Sequence, residues 1–520
     1  MHENRETSQA SARATGADRR AKDCRTARMH AGEESDCGVV PMSHPNKGRQ
    51  LLAEGEEGRL RTKENASWSY TSPTQSGKSV SQGLAGVRRV ARERKKEKFT
   101  ALLHHLTVGL LRDSYYRLRR DAAAGVDGVT WREYGDGLED RLGDLHSRVQ
   151  RGVYRAQPSR RVYIPKADGR QRPLGIAALE DKVVQQAVVT ILNNIYEEDF
   201  LGFSYGFRPG RSQHDALDAL TVGITRKRVN WVLDADIRGF FDNLDHEWLS
   251  RFLRHRVADP RVLRLVQKWM QAGVSQEGNW SETKVGTPQG AVASPLLANV
   301  YLHYVLDQWV EAWRKKQARG DVIIVRYADD FVMGFEDRAE AERFQQELAA
   351  RLRKFGLELH PEKTRLMEFG RYAEGNRKRR GEGKPETFDF LGFTHICGRT
   401  RKRGCFTVAR KTTGKKMRAK LQEVKRQLRI RMHRAVAETG RWLQSVVRGY
   451  FNYHAIPGNG PRLQAFRDEV TRLWRQALRR RGQGRAYDWK RMQRLVRRWL
   501  PSVRIVHPYP DVRFAARHPR

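Results

Sequence analysis

The stretch IVRYADDFVMGF, residues 324–335, sets two adjacent aspartates inside an apolar run. Its residues Ile324, Val325, Tyr327, Phe331, Val332 and Phe335 favour a β-strand. A carboxylate is costly to bury without a partner, so Asp329 and Asp330 belong where the chain reverses. The segment therefore reads as two strands around a tight turn. Asp is common in turns because its side chain bonds nearby backbone, so this pair alone specifies no chemistry.

A second acidic segment changes that. In WVLDADIRGFFDNLDH, residues 231–246, strand alternation puts Asp234 and Asp236 on one face. Asp236 is the nearer to the strand's end, where a side chain reaches a cleft. Two such strands paired in one sheet would gather three carboxylates. Clustered carboxylates raise each other's pKa unless cations neutralise them. Hard oxygen ligands select Mg²⁺, which shares phosphate oxygens with a substrate. Two ions about 3.5–4 Å apart clamp the attacking and leaving oxygens of an in-line phosphoryl displacement. The implied reaction is attack of a 3′-hydroxyl on the α-phosphate of a nucleotide.

The charge balance agrees with a polyanionic partner. The 520-residue chain has a net charge of +40, which implies nucleic acid before membrane. Between residues 371 and 520 there are 40 lysines and arginines against 10 acids, a net of +30. That region also carries Trp442, Tyr450, Phe451, Tyr453, Trp474, Trp489 and Trp499, whereas disordered tails are poor in aromatics. A folded basic surface over an aromatic core is the expectation. No apolar run reaches the roughly 18–20 residues of a membrane helix, and the N-terminus lacks a hydrophobic signal core. Cys24, Cys37, Cys397 and Cys405 make no disulfide framework and read as free thiols in a reducing cytosol.

Along the chain, residues 1–85 lack sustained apolar periodicity and are expected to be disordered. Residues 90–155 read as helical, and 160–370 alternate short strands and helices in an α+β pattern. SPLLANVYLHYVLDQWVEAW reads as one long helix entered at Ser294-Pro295. Residues 411–455 read as basic helices interrupted at Gly440, 461–480 as another helix, and PSVRIVHPYPDVRF as irregular structure.

The series LDADIRGFFDNLDH, GTPQGAVASPLLANVYL and YADD, in that order along the chain, resembles a reverse transcriptase. More narrowly, AGVDGVT, IPKADGRQRPLGIAALEDKVVQQAV, GFSYGFRPGRSQHDAL, LHPEKTRL, FDFLGF and WLQSVVRGYFNYHAIPGN resemble the reverse transcriptase/maturase encoded by bacterial group II introns. The resemblance runs from about residue 90 to 515. It implies a right-hand polymerase fold, with fingers and an antiparallel palm sheet over 86–375. A helical thumb/maturase domain over 376–485 and a short basic nucleic-acid-binding segment over 486–520 would follow. Asp236, Asp329 and Asp330 match the metal-binding, catalytic triad of that family, served by two Mg²⁺ ions with Mn²⁺ as an alternative. Phe241 falls where a bulky residue meets the sugar 2′ position, with Phe240 as the backup choice. Pro288, Gln289 and Gly290 match the segment lining the nucleotide and template pocket. Lys166 and Arg172 match fingers residues that contact template and triphosphate, and Lys363 matches a lysine near the active site.

The activity implied is RNA-directed DNA synthesis together with assistance to splicing. The implied partners are a group II intron RNA, a DNA target or primer, and dNTPs. They would meet in a cytoplasmic bacterial ribonucleoprotein, with a dimer left open. Many relatives end in a nuclease domain with Cys pairs; no cysteine follows Arg480, so no endonuclease is expected. A splicing-only RNA-binding protein and a domesticated or defence-linked reverse transcriptase are the alternatives. An intact YADD argues against the first, and RGYFNYHAIPGN against the second.

Overall fold

A computed structural model describes residues 75–518, except 166–170, 277–278, 282–284, 288, 401–403 and 482–486. The expected disorder of residues 1–74 lies outside the described residues. Order begins earlier than expected, however. Helix α1 (Gln75–Glu93) takes in the last eleven residues of the presumed tail and is anchored by Leu84 and Val87, both buried. Arg88 and Arg92 both pair with Glu198. Helices α2 (Val108–Arg117) and α3 (Leu138–Gln150) follow.

Two sheets form the larger, N-terminal part of the described chain. In the first, β1 (Ser159–Pro165) pairs antiparallel with β2 (Gln171–Ile176). Helices α4 (Leu179–Asp199) and α5 (Gln213–Arg226) come next. The second sheet opens with β3 (Trp231–Ala235), followed by α6 (His246–Leu253) and α7 (Pro260–Gln271). Strands β4 (Val274–Gln276) and β5 (Asn279–Ser281) return to the first sheet, giving the order β2-β1-β4-β5.

The helix predicted from Ser294 runs as α8 (Ser294–Leu302) and α9 (Gln308–Lys316), joined by a π turn over His303–Asp307. Then come β6 (Val322–Tyr327), β7 (Asp330–Phe335), α10 (Arg338–Arg353) and β8 (Arg365–Glu368). The second sheet has the antiparallel order β6-β7-β3-β8. Its two faces are differently covered. Leu233, Ala235, Phe331 and Met333 pack into one apolar cluster with α4, α8 and α10. Val232, Val325 and Val332 pack into another with α5 and Phe390. This two-sided burial explains why the strands read as apolar runs rather than strict alternation.

Strands β9 (Phe388–Phe390), β10 (Phe393–Arg399) and β11 (Phe406–Thr412) make a third sheet. Cys397, in β10, and Cys405, just before β11, form no disulfide; Cys24 and Cys37 lie outside the described residues. His395 is fully buried and stacks on Phe388 at 4.7 Å. Burial, with Arg410 nearby, pushes its imidazole down to about 3. The unfolded chain therefore takes up the proton first. The stability tied to the neutral ring is present above pH 6.5 and is lost progressively as pH falls towards 3. Replacing His395 with Phe is expected to shrink the difference in unfolding free energy between pH 7 and pH 5 by about 2 kcal/mol. Urea titrations of both proteins at the two pH values measure it.

The helical half comprises α11 (Gly414–Ile430), α12 (Val436–His454), α13 (Gly460–Arg479) and α14 (Trp489–Trp499). Val424, Leu443, Val447, Leu463, Phe466, Trp474, Met492 and Leu500 form its own core. The expected break at Gly440 is not there. The helices part at residues 431–435, and Gly440 lies inside α12, where a Cβ would stand 2.7 Å from the Trp499 ring. Glycine here marks close packing of α14, not an end. The closing segment is likewise only partly irregular, since α15 (Pro510–Arg517) forms against α5. Arg513 bridges Asp218 at 3.3 Å and Arg517 bridges Asp215 at 3.6 Å. Some of the basic charge assigned to nucleic acid is thus committed within the chain. Among the described residues no helix is long and apolar enough to cross a membrane.

Candidate active site

Strand register brings the acids together. Strand β3 pairs with β7 so that Ala235 faces Phe331; the next position on each strand is Asp236 and Asp330. Strand β6 pairs with β7 with Tyr327 opposite Asp330. Ala328 and Asp329 are therefore a two-residue hairpin loop. Such loops need a positive φ at the first central residue to match strand twist, and Ala328 has φ +57°. Asp329 is half-buried and Asp330 exposed, so both acids stand at the open end of the sheet rather than in its core.

The turn is packed from behind by Gly206. A Cβ there would lie 2.2 Å from the Ala328 nitrogen and 2.9 Å from the Tyr327 carbonyl carbon. These are backbone atoms with nowhere to go. Gly206→Ala is expected to displace the turn, lowering stability by about 1–3 kcal/mol and primer extension at least about tenfold. Urea unfolding and a primer-extension assay on the same preparation check both.

Asp236 accepts a hydrogen bond from the Lys363 ammonium at 2.6 Å, and its carbonyl accepts one from the His360 amide at 2.8 Å. Lys363 is thus paired with Asp236 although its side chain is more than half exposed. Asp234 takes a different role. Burial pushes its carboxyl up to about 7; Arg365 opposes the shift, and Asp236 and Asp389 add to it.

Phe240 and Phe241 separate cleanly. Phe240 is buried, edge-on to Tyr301 in the core. Phe241 is half-buried and lines a cavity of about 230 Å³ together with Arg161, Gly175, Gly286 and Gln289. The loop over that cavity is pinned on both sides. The Thr287 amide donates to the Phe241 carbonyl at 2.8 Å, and the Gly175 amide to the Gln289 carbonyl at 2.7 Å. Arg172 donates to the Gln289 side chain at 2.6 Å, which in turn reaches Asp242 at 3.3 Å. Gly286 and Gly290 hold φ of +90° and +107°, conformations that favour glycine. Lys166 and Pro288 lie outside the described residues.

Among the described residues no three His, Cys, Asp or Glu side chains form a closed metal cage. The donor set fits Mg²⁺ all the same, because that ion takes one or two carboxylates and completes its shell with water and substrate phosphates. Asp236 already carries a cation in the Lys363 ammonium.

Sequence reasoning missed Arg161 in the cavity wall, and it missed a set behind the turn: Arg326, Asp307, Asn299 and Ser204. The available signal was Arg326 itself, a charge within the apolar strand VIIVRY, which demands a buried partner.

The sheet edge carries Asp236, Asp329 and Asp330, and the loop that follows β3 brings Phe241 to a cavity also lined by Arg161. Residues 164–395 match the family model for reverse transcriptase (RNA-dependent DNA polymerase). Protein YkfC of Escherichia coli strain K12 is 36% identical over 275 residues, covering 46% of this chain and 71% of YkfC. The group II intron-encoded protein LtrA of Lactococcus lactis subsp. cremoris is 37% identical over 233 residues, covering 44% of this chain and 38% of LtrA. The match thus spans well under half of LtrA. Telomerase from Candida albicans overlays at a TM-score of 0.37 with 13% identity, covering 71% of this chain and 65% of that one; so low a score adds nothing to the assignment. The chain belongs to the reverse transcriptase family.

Proposed function

We propose that this chain copies a group II intron RNA into DNA and also holds that RNA in its splicing fold. The observation that carries the polymerase reading is the register that sets Asp236 beside Asp330 and the Ala328-Asp329 turn. Asp236, Asp329 and Asp330 would hold two Mg²⁺ ions, with Mn²⁺ as an alternative. Bound there, the ions supply charge neutralisation on the triphosphate and favour ionisation of the primer 3′-hydroxyl. The remaining work belongs to the chain. Arg172 offers a planar fork to phosphate oxygens and is held in place by Gln289. Phe241 occupies the space a ribose 2′-hydroxyl would need. Lys363 keeps Asp236 neutralised until substrate cations arrive.

The splicing role rests on the helical half and on the likeness to LtrA, whose name describes it as group II intron-encoded. Helix α14 buries Met492 and Val496 and exposes Arg491, Arg494, Arg497 and Arg498 along its outer side. Such a face binds phosphates, and binding should weaken steeply with salt. The test is splicing of the cognate intron RNA at low Mg²⁺. Wild-type and Asp329→Ala proteins are expected to accelerate it equally, and Arg494→Glu/Arg497→Glu to do so at least about tenfold less. Loss of splicing assistance in Asp329→Ala would overturn the separation of the two roles.

A further inference from the structure

Arg326 is the penultimate residue of β6, and neither it nor its ion-pair partner Asp307 is exposed to solvent. Its guanidinium has five N–H donors, and all five are used. The Nε and one Nη2 hydrogen bond to the two Asp307 oxygens at 2.7 and 2.6 Å. The other Nη2 hydrogen reaches Ser204 Oγ at 2.7 Å. Nη1 donates to Asn299 Oδ1 at 3.0 Å and to the Ala328 carbonyl at 2.9 Å. The Arg326 backbone is held as well, its amide donating to Phe203 O at 2.9 Å and its carbonyl accepting from the Tyr205 amide at 2.8 Å.

The last side-chain bond sets the role. Ala328 is the positive-φ residue of the hairpin loop, and its carbonyl belongs to the peptide bond that leads into Asp329. Asn299 closes a circuit around that residue. It accepts from Arg326 and donates to the Gly206 carbonyl at 2.7 Å, and Gly206 is the residue packed against Ala328 nitrogen. Asp307 ends the π turn between α8 and α9, a helix irregularity that recurs at functional sites. A buried ion pair is weak evidence for stability, because an apolar pair of similar volume often serves as well. A non-glycine left-handed residue persists only where its surroundings hold it.

We propose that Arg326 is the positioning residue of the catalytic turn: its fork, paired with Asp307 and steered by Asn299 and Ser204, clamps the Ala328 carbonyl. That clamp fixes where Asp329 and Asp330 present their carboxylates to the divalent ions. The inference rests on the polymerase reading of those acids.

Two variants test it. Arg326→Met/Asp307→Leu removes both charges together, so that neither is stranded. Arg326→Lys keeps the charge but not the planar fork. Each is measured for urea midpoint, for kcat and KM with dTTP on poly(rA)–oligo(dT), and for Mn²⁺ bound. The Mn²⁺ is counted by electron paramagnetic resonance with template–primer and a non-reacting dTTP analogue. Both variants are expected to fold. Their kcat should fall about 100-fold, the scale of a misplacement near 1 Å, with KM changed less than about threefold and Mn²⁺ affinity about tenfold weaker. A folded variant with wild-type kcat and Mn²⁺ affinity overturns the proposal. If the double variant does not fold, Arg326→Lys decides alone, and unchanged kcat in it overturns the proposal. Losses in kcat that track the urea midpoint, with Mn²⁺ affinity intact, also overturn it and leave a structural pair. Should the wild-type protein make no DNA, the polymerase reading fails, and Mn²⁺ counting still judges the clamp.

Discussion

Asp329→Ala protein, given poly(rA), oligo(dT), dTTP and Mg²⁺, is expected to make DNA at least about a thousandfold more slowly than wild type. Metal-held charge stabilisation contributes several kcal/mol to a phosphoryl transfer, and each 1.36 kcal/mol is about tenfold in rate. Asp329 is a half-exposed turn residue, and Ala328, not Asp329, carries the positive φ. Its truncation should therefore leave the unfolding midpoint nearly unchanged. Full activity in this variant would remove the acid from the site, and unfolding would show that the turn is structural.

Phe241→Ala should lose discrimination between dTTP and UTP by about 5- to 160-fold. The estimate follows from forcing one extra polar group into a filled space, at about 1–3 kcal/mol. Phe240→Ala is the informative comparison. Phe240 is a core ring, and its truncation should cost about 3–5 kcal/mol of stability without opening the sugar site. Incorporation rates for both nucleotides, taken beside urea midpoints, separate the two residues. If Phe240→Ala admitted UTP and Phe241→Ala did not, the assignment would be reversed.

The parts of this site that were legible share a physical trait. Acids in apolar strands are conspicuous because burying them is costly, so Asp236, Asp329 and Asp330 announced themselves. Their common sheet could be anticipated from strand pattern alone. Phe241 could be named but not distinguished from Phe240, because adjacent rings differ only in which side of a 3₁₀ turn they leave from. The Lys363 pairing with Asp236 spans 127 residues, and no local pattern encodes a contact of that range. Gly440 misled because helix interruption and close packing both select glycine; only the Trp499 ring decides between them. Helix α15 escaped because a short helix derives most of its stability from tertiary packing, here against an acidic patch nearly 300 residues away.

That distant docking has a consequence for synthesis of the protein. Asp218 meets Arg410 and then Arg513, and Asp215 meets Arg517. Ribosomes add roughly 5–20 residues per second, so α5 waits roughly 15–60 s between its own emergence and that of α15. Throughout that interval the nascent palm exposes the α5 surface that α15 later covers. Folding of this enzyme on the ribosome is therefore expected to proceed in two stages, with protease resistance of the α5 region appearing only once α15 has emerged.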